Sequence, residues 1–127
     1  MTASRTIDAF PHFERQTFDV LTAELSPAAA SRFAADFVSM LPSRIHRITE
    51  ALVAENDREE MVTALLSLKA SATMIGAMRL SSTVDRALGD LTRAVHPSTL
   101  LPVRLQHEAQ QFVAAYASFQ NAASRAA

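Results

Sequence analysis

Residues 61–80 read MVTALLSLKASATMIGAMRL, and the spacing of their apolar side chains is that of a helix. At about 100° per residue, five of these side chains fall within one narrow arc of the helix surface. They are Met61, Leu65, Leu68, Ala72 and Ile75. The arc predicts a helix that buries this side in a core and ends near Gly76.

Leu66 lies about 140° from the centre of that arc, on the side expected to face solvent. Its neighbours on the helical wheel are Glu59, Val62, Lys69, Ala70 and Thr73. A single exposed leucine is common on protein surfaces. The pattern alone therefore leaves two interpretations open, an ordinary surface residue or the centre of a contact surface.

The composition favours a single all-α domain spanning residues 1–127. A chain of 127 residues can bury one core, and 49% hydrophobic with 20% charged residues is typical of a folded protein. It is rich in alanine and has only 2 glycines and 5 prolines, which favours helices over strands. A net charge of −1 argues against a nucleic-acid binder, and the absence of cysteine removes disulfides, thiol catalysis and thiolate metal sites.

Four other segments carry helical patterns, at residues 6–24, 27–54, 78–95 and 100–123. Ser26-Pro27 predicts the start of the second, which we expect to continue as one kinked helix through Pro42. Asn56 and Glu59 predict a capping box before the third. The buried face of the fourth is expected to contain Leu80, Val84, Ala87, Leu91 and Val95. Short connections predict an antiparallel, up-down-up-down four-helix bundle with an additional N-terminal helix.

The apolar segment at residues 61–78 approaches the length of a membrane span. Lys69 at its centre, with several hydroxyl side chains, would cost about 3 kcal/mol or more on insertion, so we expect a bundle helix. Charged residues also interrupt the N-terminus, where a signal peptide would need an apolar core. We therefore expect a cytoplasmic protein that does not associate with membranes.

Leu65 to Ala72, followed by Gly76-Ala77 and Leu80, resembles the signature of histidine-containing phosphotransfer (HPt) domains. The family pattern is His-x-Leu-Lys-Gly-Ser-Ala, then Gly-Ala and Leu at a fixed distance. The matching residues are Leu68, Lys69, Ser71, Ala72, Gly76, Ala77 and Leu80. The resemblance covers roughly residues 21–95 and includes Phe37, Leu41-Pro42 and the Asn56-Asp57 turn. It implies a helical bundle that docks receiver domains or histidine kinases in two-component phosphorelays.

The departures from this pattern decide the expected function. Leu66 stands where the family has its phosphoaccepting histidine, and an aliphatic side chain has no lone pair to attack a phosphoryl group. Ala70 replaces the family's glycine, whereas Lys69 is retained. The resemblance therefore implies a pseudo-phosphotransfer domain, not an enzyme and without a cofactor, that binds its partner without accepting phosphate. The expected partner-binding residues are Val62, Leu66, Lys69, Ala70 and Thr73.

Two other functions remain open at this point. A displaced histidine such as His46, expected on the solvent side of the second helix, would keep phosphotransfer active. Alternatively, the Leu66 surface would serve a self-associating helical module, so that the chain is a monomer or a weak homodimer. His107 begins a pattern that lacks the second histidine of a zinc site, so no metal is expected. His12 and His96 lie beside prolines and are expected at helix ends.

Three arginines recur every seven residues along the fourth helix, at Arg79, Arg86 and Arg93. They predict a solvated face with Asp85 and Asp90 nearby. The functional alternative is electrostatic steering towards an acidic partner, such as a receiver domain.

Overall fold

A computed structural model describes residues 7–54 and 57–126. Within this part of the chain every regular element is helical and no strand is present, which confirms the all-α prediction. A short 3₁₀ helix spans Ile7–Ala9. The α-helices are α1 (Arg15–Glu24), α2 (Pro27–Val53), α3 (Arg58–Ile75), α4 (Met78–Thr92) and α5 (Leu101–Ala126). None of them is both long and apolar enough to cross a membrane.

The starts of α2 and α3 are set by side chains that accept a backbone hydrogen bond. The Ser26 hydroxyl accepts from the N–H of Ala29 at 3.0 Å, with Pro27 in the first turn as predicted. The Asp57 carboxylate accepts from the N–H of Glu60 at 3.3 Å and begins α3. The cap predicted at Asn56 lies outside the described residues. One continuous α2 through Pro42 confirms that this segment is not two helices.

Left-handed residues end α3 and α4. Gly76 has a φ of 92° at the end of α3. Ala94 has a φ of 58°, and the N–H of Val95 donates to the carbonyl of Asp90 at 2.7 Å. The expectation of a fourth helix reaching Val95 was wrong, because this reversal ends α4 at Thr92. Val95 consequently lies exposed rather than in the core.

The core lies between α2, α3, α4 and α5. Helix α2 packs against α3 and α5, α4 packs against the same two helices, and α1 lies against α2 and α3. All five side chains of the predicted α3 arc are buried, namely Met61, Leu65, Leu68, Ala72 and Ile75. The periodicity of α3 therefore identified its core face correctly.

Residues 7–14, here called the N-terminal strap, consist of the short 3₁₀ helix and an irregular segment after it, rather than the first half of an α-helix. Helical structure was predicted from residue 6, which lies outside the described part. Pro11 has no N–H to donate and disfavours helical backbone at Phe10 before it. The strap instead bonds to α3 and α4. The N–H of Glu14 donates to the carbonyl of Gly76 at 2.7 Å, and the N–H of Arg79 donates to the carbonyl of Pro11 at 2.9 Å.

The Arg79 guanidinium holds the strap against α4. It donates to the carbonyls of Phe10 at 2.8 Å and Asp8 at 3.1 Å, and it lies 3.1 Å from Nε2 of His12. The prediction that Arg79 belongs to a solvated arginine face was therefore wrong. Seven-residue spacing places it on the same stripe as Arg86 and Arg93, but the strap covers only the start of α4. Arg86 and Arg93 are exposed as expected.

Phe13, near the C-terminal end of the strap, packs in an aromatic cluster. The ring of Phe13 lies 5.8 Å from Phe112 and 5.6 Å from Tyr116, both in edge-on geometry. Phe18 of α1 and Phe119 of α5 complete the cluster. Such offset contacts add to the free energy gained from burial, so the strap is part of the folded core rather than a loose tail.

Candidate functional site

The outer face of α3 presents Leu66 to solvent. The residue is 51% exposed, as the helical wheel predicted. Thr63, Ser67, Ala70 and Thr73 are also exposed on this helix. Because these four side chains are small, Leu66 is the largest apolar group in the middle of the face. A partner surface that covered it would remove apolar area from water.

An open groove of about 500 Å³ runs between α3 and α4 beside Leu66. Its α3 wall contains Arg58, Val62, Leu66 and Lys69, and its α4 wall contains Asp85, Leu88, Gly89, Leu91 and Thr92. Val62 and Leu88 are partly buried against the core and form an apolar floor. Gly89 places no side chain in the groove. The groove is therefore apolar in the middle and charged at its edges.

Lys69 is paired rather than free. Its ammonium Nζ lies 2.6 Å from Oδ1 of Asp85 on α4. Lys69 and Asp85 are each eight positions from Ala77 in the α3–α4 turn. Thr73 and Ser81 are each four positions from Ala77, and their hydroxyl oxygens lie 2.7 Å apart. This symmetry about the turn was a signal in the sequence that could have revealed both contacts.

Arg44 of α2 borders the other side of Leu66. Its Nη1 donates to the Ser67 hydroxyl at 2.7 Å and to the Ser67 carbonyl at 3.1 Å. Sequence reasoning missed Arg44 because no local spacing relates it to Ser67, which is 23 residues away. The apolar face of Leu66 thus lies between two cationic side chains, Lys69 and Arg44, and only Lys69 has a carboxylate partner among the contacts described.

The five residues expected to bind a partner are only partly brought together. Val62, Leu66 and Lys69 line the groove, with Leu88 and Asp85 of α4 as neighbours that the sequence did not identify. Ala70 and Thr73 are exposed farther along α3 but lie outside the groove. The site is therefore a face of α3 extended by one wall of α4, rather than a patch of α3 alone.

No histidine lines this groove in the described part of the chain. His46 is exposed on α2, with its Nε2 3.3 Å from Oε2 of Glu50. His96 and His107 are also exposed, and His12 belongs to the strap. The described residues contain no group of three His, Asp or Glu side chains placed to hold a metal ion. Leu66 itself has no nucleophilic atom.

His12 and Glu60, which both lie outside the groove, have shifted pKa values. Burial lowers the pKa of His12, and the positive charge of Arg79 and the proximity of His107 lower it further, whereas Asp8 opposes this change. At the α2–α3 edge, the hydrogen bond from Arg47 lowers the pKa of the Glu60 carboxyl. The first shift concerns the strap and the second an exposed ion pair.

Comparison of the chain with protein-family models, with curated proteins and with solved structures found no match. The resemblance to the phosphotransfer signature and the geometry of the α3 face are therefore the observations from which a function can be argued.

Proposed function

We propose that this chain is a cytoplasmic pseudo-phosphotransfer domain that binds a receiver domain, or alternatively a histidine kinase, without accepting a phosphoryl group. The observation that carries the proposal is the position of Leu66. It is half exposed at the middle of the α3 face, in the place that the HPt signature gives to its phosphoaccepting histidine. A docking surface that is retained after loss of the reactive imidazole nitrogen would account for the exposure of Leu66 and for its place in the signature.

The proposed architecture is an antiparallel, up-down-up-down bundle of α2 to α5, with α1 and the strap added at the N-terminus. Contacts between helices support it. Arg44 bonds to Ser67, and Arg47, three residues later on α2, bonds to Glu60, which comes earlier on α3. This order of contacts is that of two antiparallel helices. Lys69 with Asp85 and Thr73 with Ser81 follow the same order between α3 and α4.

The proposed mechanism is occupancy of the partner's docking surface. Fully burying a leucine contributes about 1.5–3 kcal/mol, and roughly half of Leu66 is already covered within the folded chain. Covering the remainder would therefore contribute about 1 kcal/mol, or roughly a fivefold change in Kd. A partner held in this way would be kept from a true phosphotransfer protein.

Cationic groups beside Leu66 suit a partner with acidic residues. In the phosphorelay family the receiver carries its phosphorylation site in an acidic cluster. Lys69 and Arg58 line the same groove as Leu66, and Arg44 bonds to the next residue, Ser67. Complementary charge of this kind raises association rates and selects partners more than it adds affinity. Receiver domains are therefore the favoured class of partner.

The deciding experiment measures binding of the full chain to each receiver domain and each histidine kinase of its own genome, with Leu66→Asp and Leu25→Asp side by side. Leu25 is a matched control, since it is 49% exposed and lies at the end of α1. We expect one or a few receivers to bind, Leu66→Asp to weaken binding at least tenfold and Leu25→Asp to leave it unchanged. Absence of binding to every receiver and kinase, with folded protein, would refute the proposal.

Phosphotransfer assays separate this proposal from active transfer through His46. With radiolabelled receiver, we expect wild type to remain unlabelled, and Leu66→His to gain label because its imidazole restores a nucleophilic nitrogen on the same helix face. Label on wild type that disappears in His46→Ala would instead support an active phosphotransferase. Concentration-dependent association abolished by Leu66→Asp would support the third reading, a module that self-associates through this surface.

A further inference from the structure

A second cavity lies between the strap, α4 and the start of α5, and it shares none of its described lining residues with the groove beside Leu66. Its volume is about 190 Å³, which is that of roughly six liquid water molecules. The floor consists of buried residues, namely Ile7, Thr83, Ala87, Pro97 and Leu101. The cavity can therefore hold a small molecule of about six or seven non-hydrogen atoms on a mostly apolar floor.

Thr83 is the polar residue of that floor, and its hydroxyl is unpaired. The side chain belongs to α4, and the residue is only 3% exposed. Within residues 7–54 and 57–126, its Oγ1 has no hydrogen-bond partner. An unpaired buried hydroxyl costs free energy, and buried polar groups are nearly always bonded to protein, to water or to a ligand. A hydroxyl group of a molecule bound in the cavity would satisfy it.

Guanidinium groups from two helices lie at the rim of the cavity. Arg86 of α4 and Arg104 of α5 both line it and are exposed. None of the ion pairs among the described residues involves Arg86. Arg104 donates through Nε to Oε2 of Glu108 at 3.2 Å. Its Nη2 is 3.9 Å from Asp8, but the Asp8 side chain is 79% exposed, so water screens this charge.

The charges around the rim leave one positive charge without a partner. Asp90 also lines the cavity, but its carboxylate pairs with Arg93 at 2.7 Å. The buried carboxylate of Glu108 balances Arg104. Arg86 keeps its full charge, so the rim favours a molecule with a single negative charge.

We propose that this cavity binds a small hydroxylated monocarboxylate, with its carboxylate at Arg86 and its hydroxyl at Thr83. A guanidinium binds a carboxylate through two parallel N–H···O bonds, which selects this group over a neutral one. The ligand hydroxyl can donate to Thr83 or accept from it. Its short carbon chain contacts the apolar floor at Ile7, Ala87 and Leu101. The site goes beyond receiver binding and does not depend on it.

Titration of the full ¹⁵N-labelled chain with 3-hydroxybutyrate, followed by two-dimensional NMR, tests the inference. A ligand of about seven non-hydrogen atoms should bind with a Kd of roughly 1 mM. The amide signals of Ile7, Thr83, Ala87 and Leu101 should shift and saturate together. Butyrate, which lacks the hydroxyl, and 1,3-butanediol, which lacks the negative charge, should each bind at least fivefold more weakly.

Three substitutions separate the two contacts. Thr83→Val should weaken 3-hydroxybutyrate at least fivefold and leave butyrate unchanged, because it removes only the hydroxyl. It should also raise the midpoint of urea unfolding, since a buried unpaired group is lost. Arg86→Gln should weaken both acids at least fivefold and leave the diol unchanged. Arg32→Gln is the matched control, because it removes the same charge from an exposed position of α2 outside the cavity.

Three results would overturn the inference, with circular dichroism showing that each variant is folded. Addition of 3-hydroxybutyrate to about 50 mM could leave the amide signals around the cavity unshifted. Thr83→Val could weaken butyrate as much as 3-hydroxybutyrate, which would show that the hydroxyl is not recognised. Arg32→Gln could weaken binding as much as Arg86→Gln, which would indicate a general effect of charge. None of these results bears on whether the chain binds receiver domains.

Discussion

The carbonyl oxygen of Glu14 lies 2.6 Å from the position that a Cβ atom on Gly76 would take. The N–H of Glu14 donates to the carbonyl of Gly76 at 2.7 Å, so the strap and the α3–α4 turn meet backbone to backbone. Gly76 also has a φ of 92°, which only glycine adopts without strain. The glycine in the Gly-Ala pair of the signature thus has a structural reason in this chain.

Replacing Gly76 by alanine should destabilise the protein by about 2–4 kcal/mol, because the methyl group collides with Glu14 and the backbone is strained. Gly89→Ala is the matched control. A Cβ there meets only Nη1 of Arg93 at 3.5 Å, inside a helix, so this change should stabilise by about 1 kcal/mol. Urea unfolding of both variants measures the difference. Equal effects would show that the Glu14 contact does not constrain Gly76.

Replacing Arg79 by lysine should loosen the strap. A lysine ammonium is a compact donor that cannot reach the carbonyls of Asp8 and Phe10 and the ring of His12 as the guanidinium fork does. The expected loss is about 1–3 kcal/mol, with faster amide exchange in the strap. Arg86→Lys, on the same stripe but exposed, should change stability by less than about 0.5 kcal/mol. An Arg79→Lys protein with an unchanged strap would contradict the role assigned to this side chain.

The stability of the fold should fall as the pH drops below 6.5, the ordinary pKa of His12. Because a guanidinium only donates, Nε2 of His12 accepts from Arg79 and the ring is neutral in the folded protein. The lowered pKa means that the unfolded chain binds the proton more readily. The stability that neutral His12 contributes to the folded protein is therefore fully present above pH 6.5. It is lost as the pH falls towards the lowered pKa of His12 in the folded state.

His12→Gln tests this dependence, since its amide oxygen can replace Nε2 as an acceptor but does not titrate. Between about pH 7.5 and 5.5, the free energy of unfolding should decrease more steeply in wild type than in His12→Gln. The Glu60 carboxyl does not interfere, because its pKa is lowered from 4.5 and it titrates below this window. Parallel pH profiles for the two proteins would show that His12 is not the group responsible.

Replacing Asp85 by asparagine should strengthen binding to an acidic receiver domain. The change removes a negative charge from the groove and frees the Lys69 ammonium, which is 2.6 Å from the Asp85 carboxylate in the unbound protein. At low salt the expected gain is about twofold to fivefold in Kd, mainly through faster association. Asp19→Asn makes the same charge change on α1, beside Arg15. If it strengthened binding equally, the effect would come from net charge and not from Lys69.

The amino-acid sequence by itself determined the positions of most helices and the side of α3 that faces the core. Burial of an amphipathic helix depends on periodicity, which is local, so Leu65 and Leu68 could be assigned to the core and Leu66 to the surface. The Ser26 cap is local in the same sense, since it depends on residues within one turn.

The tertiary structure decided which charged side chains are covered or paired, because this depends on residues that are distant in the chain. Seven-residue spacing put Arg79 and Arg86 on one stripe, but only the path of the strap determines that Arg79 is covered and Arg86 is not. Lys69 was predicted to face a partner, but the packing of α3 against α4 gave it Asp85 as an ion-pair partner. In each case the deciding interaction joins residues distant in the chain, and its energy depends on a distance that is set only when the helices pack.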